Sequence, residues 1–198
     1  MPGEFQLVAG HLALDFANTL DNRYDPARLV ELLPSYRRFL VFASEAGILT
    51  LRQARILLRR TTARDAARVL KQVVLLRGTL DSLFRSVVAG RPNGSCLPAL
   101  NRFLAHARVP EAIGFQRGSF ILHRANVAGT PEGPLWPIVH AAAELLASPD
   151  RVRIRECGDK KCRWLFLDRS KNHSRRWCDM RVCGNRWKAR RFHARIEA

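Results

Sequence analysis

In residues 10–20, Leu12, Leu14 and Phe16 alternate with smaller or polar neighbours, a period of two that predicts a short extended segment with one buried face. Asp15, Asn18 and Thr19 sit among these apolar positions. Such a trio marks a candidate small-molecule pocket, and local capping hydrogen bonds account for it equally well. From Asp25 the period becomes helical: Leu29, Leu32, Leu33, Tyr36, Phe39, Leu40 and Ala43 recur at spacings of three and four. Pro26 suits the first turn, Pro34 divides the helix and Gly47 ends it. Thr50 predicts the N-cap of a helix over 51–60, and Thr61 or Thr62 that of a long helix reaching about Val88. On that helix Ala66, Val69, Leu70, Val73, Leu76, Leu80, Leu83, Phe84 and Val87 form an apolar stripe. Arg64, Arg68, Lys71 and Arg85 face the other way, as a solvated surface.

A loop at residues 90–95 separates this helix from another bearing Leu97, Leu100, Phe103 and Leu104. Residues 109–128 read as a hairpin, Ile113 and Phe115 facing Phe120 and Leu122 across a turn near Arg117-Gly118. After a second loop, Ile138, Val139, Ala142, Leu145 and Leu146 mark a helix over 136–147. The expectation for 1–148 is a mainly helical α+β domain, with its boundary at Ser148-Pro149-Asp150. The tail, 151–198, reads as a small module: strands at 151–155 and 164–167, then a helix over 184–196.

Four of the five cysteines lie in this tail, as two pairs with the same four-residue gap: Cys157 with Cys162, and Cys178 with Cys183. Four thiolates so spaced suit tetrahedral Zn²⁺. Two disulfides are the alternative, disfavoured because nothing in the chain directs it to an oxidising compartment. A hairpin presenting the first pair, and a helix whose first turn carries the last ligand, make a treble-clef-like arrangement. So short a segment has too little apolar core to fold alone, which makes one structural Zn²⁺ its source of folding energy. Loss of a ligand is then expected to unfold 151–198 and leave 1–148 intact.

Charge changes the functional picture. The tail holds 16 Lys and Arg against 5 Asp and Glu, while residues 1–150 hold 18 against 12. This asymmetry survives metal binding and points to a polyanionic partner, most simply double-stranded DNA. Arg175, Arg176, Lys188, Arg190 and Arg191 are assigned to phosphate contacts. Arg186 is a further candidate, although it and Asn185 are read foremost as structural, bonding backbone carbonyls or Asp168. His173 and His193 flank the cysteines, but four sulfurs already close the coordination sphere and leave no place for catalytic water. There is no Gly-rich phosphate loop, nucleophile elbow or convergent carboxylate pair, so an enzyme is not expected. With 47% hydrophobic residues, no apolar run long enough to cross a bilayer and no basic leader, the reading is a cytoplasmic protein with no membrane partner.

Residues 164–168 (WLFLD), 175–178 (RRWC) and 183–186 (CGNR) together resemble the CGNR zinc-finger family, and residues 12–20 (LALDFANTL) resemble the start of the ABATE domain that precedes this finger. Trp187 departs from the small residue expected after the CGNR stretch. The resemblance implies a bacterial transcription regulator of a group called stress-induced. Its finger would contact DNA, and its helical domain would sense a small-molecule effector or mediate homodimerisation. An RNA- or ribosome-associated protein and a protein–protein adaptor with a purely structural zinc remain the alternatives.

Overall fold

The computed structural model describes residues 3–107, 111–116, 118–124 and 127–196. The chain runs α1 (Leu12–Ala17), β1 (Leu20–Asp21), β2 (Val30–Glu31), α2 (Tyr36–Glu45), α3 (Leu51–Arg60), α4 (Ala63–Val88), α5 (Leu97–His106), β3 (Glu111–Gln116), β4 (Ser119–Arg124), α6 (Trp136–Ala147), β5 (Ile154–Glu156), β6 (Leu165–Leu167) and α7 (Asn185–Ile196). Strands pair as three antiparallel two-stranded sheets, β1 with β2, β3 with β4 and β5 with β6. Helices dominate the first part and a cysteine-rich module ends the chain, an α+β fold.

Local chemistry explains the helix starts. Thr50 and Gln53 form a reciprocal capping box at α3, and Thr62 caps α4 by accepting the Asp65 amide. Ser35 caps α2, so the helix expected from Pro26 begins only at Tyr36. Residues 22–34 are instead irregular around the short β1–β2 ladder, with Leu29 exposed. Pro34 accounts for this, since it disfavours helical geometry in the residue before it. Residues 109, 110, 117, 125 and 126 of the expected hairpin region lie outside the described residues.

The opening segment is a second correction. Residues 12–17 are helical, capped by His11, whose Nδ1 accepts the Ala13 amide. Ala13 and Ala17 are as buried as Leu14 and Phe16, because α1 is enclosed by α4, α6 and β6. A short helix covered on several sides has no polar face, and its larger residues alternate by coincidence. The tail departs as well: residues 149–153 form a 3₁₀ turn, and the strand starts at Ile154.

One apolar core runs through both parts of the chain. Phe16, Phe39, Phe42, Phe84 and Phe166 are among its largest fully buried side chains, and Ile154, Leu165 and Leu167 of the β5–β6 hairpin belong to it. The Leu167 amide donates to the Ala9 carbonyl at 2.8 Å, and Asn18 brackets Leu165, its Nδ2 donating to the Leu165 carbonyl and its Oδ1 accepting the Leu165 amide, both at 2.9 Å. Trp164 Nε1 donates to Asp21 at 2.8 Å. Charged groups reinforce the junction: Arg85 of α4 joins Asp81, Glu156 and the Arg163 carbonyl, while buried Arg77 holds Glu31 and Thr19. Arg85 is thus a junction residue and not part of a solvated face.

These contacts engage Asn18 and Thr19, two of the three candidate pocket residues, within the fold. Asn18 and Thr19 are buried and fully bonded within the fold, and the cavity beside the trio is only about 10 Å³, room for a single water at most. Asp15 accepts the Ala9 amide at 2.9 Å, but burial outweighs that bond and pushes its carboxyl up to about 6. A folded-state value above the unfolded one makes the protonated form the more stabilising. Its contribution is therefore complete below about pH 4 and is lost as pH rises through about 6. Asp15→Asn is expected to raise stability above pH 6 by about 1–3 kcal/mol and to flatten the pH dependence over that window, compared with wild type at each pH in denaturant titrations.

Candidate metal centre and nucleic-acid face

The two cysteine pairs are built alike. In the first, the Asp159 carbonyl accepts the amides of Cys162 and Arg163 while its Oδ1 accepts the Lys161 amide. In the second, the Asp179 carbonyl accepts the amides of Cys183 and Gly184 while its Oδ1 accepts the Arg181 amide. Each aspartate thus curls its loop so that both sulfurs point inward. The β5–β6 register delivers the first pair, extended by the bond from the Cys157 amide to the Trp164 carbonyl at 2.8 Å. The second pair ends in a wide π-helical turn, Met180–Gly184, which runs directly into α7. Cys183 therefore lies just ahead of α7, not within its first turn.

All four sulfurs lie within 4.8 Å of one another, with Cys162–Cys178 and Cys178–Cys183 separations of 3.6 Å. A tetrahedral Zn²⁺ with bonds of about 2.3 Å would set sulfurs about 3.8 Å apart, so the donor set fits the metal. No disulfide joins these cysteines. The crowding also suits a cation. Hydrogen bonds from Cys162, Cys178 and Cys183 hold the Cys157 sulfur far toward thiolate, and contacts with Cys157, Cys178 and Cys183 push Cys162 up. A divalent ion satisfies all four as thiolates at once. Cys157, Cys162, Cys178 and Cys183 form a zinc-finger site that would hold one structural Zn²⁺.

A family model described as "CGNR zinc finger" matches residues 153–196, and one named ABATE, described as "Putative stress-induced transcription regulator", matches residues 10–149. The chain belongs to the ABATE family. Its CGNR finger follows the ABATE region with a gap of three residues. A comparison with curated proteins returned no match.

Within this finger the basic residues divide into two groups. Arg175 is a framework residue: its side chain donates to the carbonyls of Trp177, Val8 and Cys178, and its guanidinium lies 4.6 Å from the Phe166 ring centre. These bonds tie the finger to the segment before α1 and engage the guanidinium that the sequence offered to phosphate. Arg186 and Arg190 close on opposite oxygens of Asp159, at 3.1 and 3.0 Å, although that carboxylate is wholly buried. This pair anchors α7 to the first cysteine loop. Arg190 thus shares with Arg186 the buried partner Asp159, where the sequence offered Arg186 backbone carbonyls or Asp168. Asp168, also buried, accepts from Ser170 and the Arg175 amide. Asn185 donates to the Arg181 carbonyl.

The second group is exposed. Arg176 and Arg191 extend over the Trp187 ring, at 5.4 and 5.3 Å from its centre, and Trp187 packs on Trp177 at 5.7 Å. Trp187, the departure in sequence, thus orients two cations. Lys188 is exposed on the same helix, and Arg181 projects with its side chain 92% accessible. His173 is exposed, and the side chain of His193 lies outside the described residues. The aspartates shaping the metal loops were not singled out from sequence, although an acid follows closely on the first cysteine of each pair.

Proposed function

We propose that the chain is a DNA-binding transcription regulator whose zinc-stiffened C-terminal module grips the phosphate backbone. The supporting observation is a surface of Arg176, Lys188, Arg191 and Arg195 for which no carboxylate partner is present among the described residues. Lys188, Arg191 and Arg195 fall at spacings of three and four, one side of α7. Unpaired like charges on one helix face raise its free energy, and a phosphate strand lowers it again. The ABATE region takes the regulatory part in this reading, and its family description supports a transcription regulator as a whole.

Binding to random duplex DNA should weaken with salt at a log–log slope of about −3 to −5, as four or five neutralised phosphates require. Replacing Lys188, Arg191 and Arg195 together with Ala should make the slope shallower by about 2 to 3 at unchanged zinc content. Fluorescence anisotropy across a salt series reads both. An unaltered slope would remove α7 from the interface, and tighter binding to structured RNA than to duplex would reassign the partner.

A further inference from the structure

A cavity of about 510 Å³ lies between α4, α5 and the start of α6, formed from residues outside the cysteine-rich module. Two helices line it with one side each. Arg68, Gln72 and Leu75 come from α4, and Ala99, Arg102, Phe103 and His106 from α5, both sets at helical spacings of three and four. Glu132 and Trp136 close one end. The volume is that of a small-molecule site.

Its chemistry is specific. Leu75, Phe103 and Trp136 supply an apolar, largely aromatic wall. Arg68 bridges Asp65 and Glu132 at 3.3 and 3.1 Å, which neutralises the acid in the lining. Arg102 and His106 have no hydrogen-bond or ion-pair partner among the described residues. Gln72 Oε1 is buried and lacks any hydrogen-bond partner, the one such side-chain atom found among the described residues. A buried acceptor without a donor has lost its water and gained nothing in return, a cost that a ligand donor would remove.

We propose that this cavity is an effector site for a small aromatic carboxylate that also carries a hydrogen-bond donor. The ring lies against Phe103, Trp136 and Leu75. The carboxylate pairs with Arg102 beside His106, and the ligand's O–H or N–H donates to Gln72 Oε1. The site shares no residue with the cysteine cluster and does not depend on the DNA-binding reading, so binding can be measured without nucleic acid.

The test is isothermal titration of the zinc-loaded full chain with 6-hydroxy-2-naphthoate, its neutral amide and 2-naphthoate, which lacks the hydroxyl. The hydroxynaphthoate should bind one per chain with Kd of about 10–100 μM. The amide and 2-naphthoate should each bind about tenfold or more weakly, the first lacking the charge and the second the donor. Arg102 is exposed, so Arg102→Gln should keep the fold and zinc content of wild type while weakening the hydroxynaphthoate about tenfold or more. Gln72→Leu should bring the hydroxynaphthoate down to the affinity of 2-naphthoate. Absence of saturable binding up to about 1 mM would overturn the proposal. So would an Arg102→Gln protein that binds the hydroxynaphthoate as wild type does.

Discussion

Stripping zinc with a chelator, or replacing Cys183 with Ser, is expected to melt α7 and both cysteine loops while β5 and β6 stay folded. Apparent zinc binding in small modules is worth about 10–16 kcal/mol, as large as the whole stability of an ordinary domain. Nothing else in residues 157–163 and 178–196 approaches that: α7 is mostly exposed, and its anchors are the bonds of Arg186 and Arg190 to Asp159 and the packing of Trp187 on Trp177. The hairpin differs, because Ile154, Leu165, Phe166 and Leu167 sit in the common core and are bonded to Ala9 and Asn18. Hydrogen exchange resolves the two. The Cys183 and α7 amides should lose protection on zinc removal, and those of Leu165 and Leu167 should retain it. Uniform loss through residues 151–196 would mean that the hairpin depends on the metal as well.

The second large effect centres on Asn18. Asn18→Ala is expected to cost about 3–5 kcal/mol, since it leaves the buried amide and carbonyl of Leu165 both without partners. Asn18→Asp keeps an acceptor for the Leu165 amide but loses the donor and buries a charge, so it should be at least as damaging. Denaturant unfolding followed by tryptophan fluorescence measures both variants, and Trp164, bonded to Asp21 beside the junction, reports locally. A cost below about 1 kcal/mol for Asn18→Ala would show that water replaces the amide without penalty.

Features written in local chemistry were legible in the sequence. The caps at Thr50 and Thr62 need only their own first turn, and the cysteine spacing declares the metal set because sulfur geometry leaves few alternatives. Features that depend on distant partners were not. Arg175 looks like any surface arginine, because its acceptors are backbone carbonyls, one of them in the segment ahead of α1. Asn18 and Asp15 look like a polar pocket because their partners, Leu165 and Ala9, show no side-chain signature. The leucines after Pro26 kept a helical rhythm without forming a helix, Leu33 reaching the core from an irregular segment, and Ser35 was the true start. The role of Asp159 needed α7 folded back over the first cysteine loop before two arginines could reach one carboxylate.

The shared core has a consequence for inheritance and engineering. Since β6 completes the packing around α1, the finger is not an interchangeable cassette. Grafting a foreign module after Asp150 would expose Phe16, Leu14 and their neighbours, and the transplanted finger would carry Phe166 into water. Substitutions at Asn18 and along β6 are therefore constrained together, and a chimera should fold only when residues 9–20 travel with the hairpin they enclose.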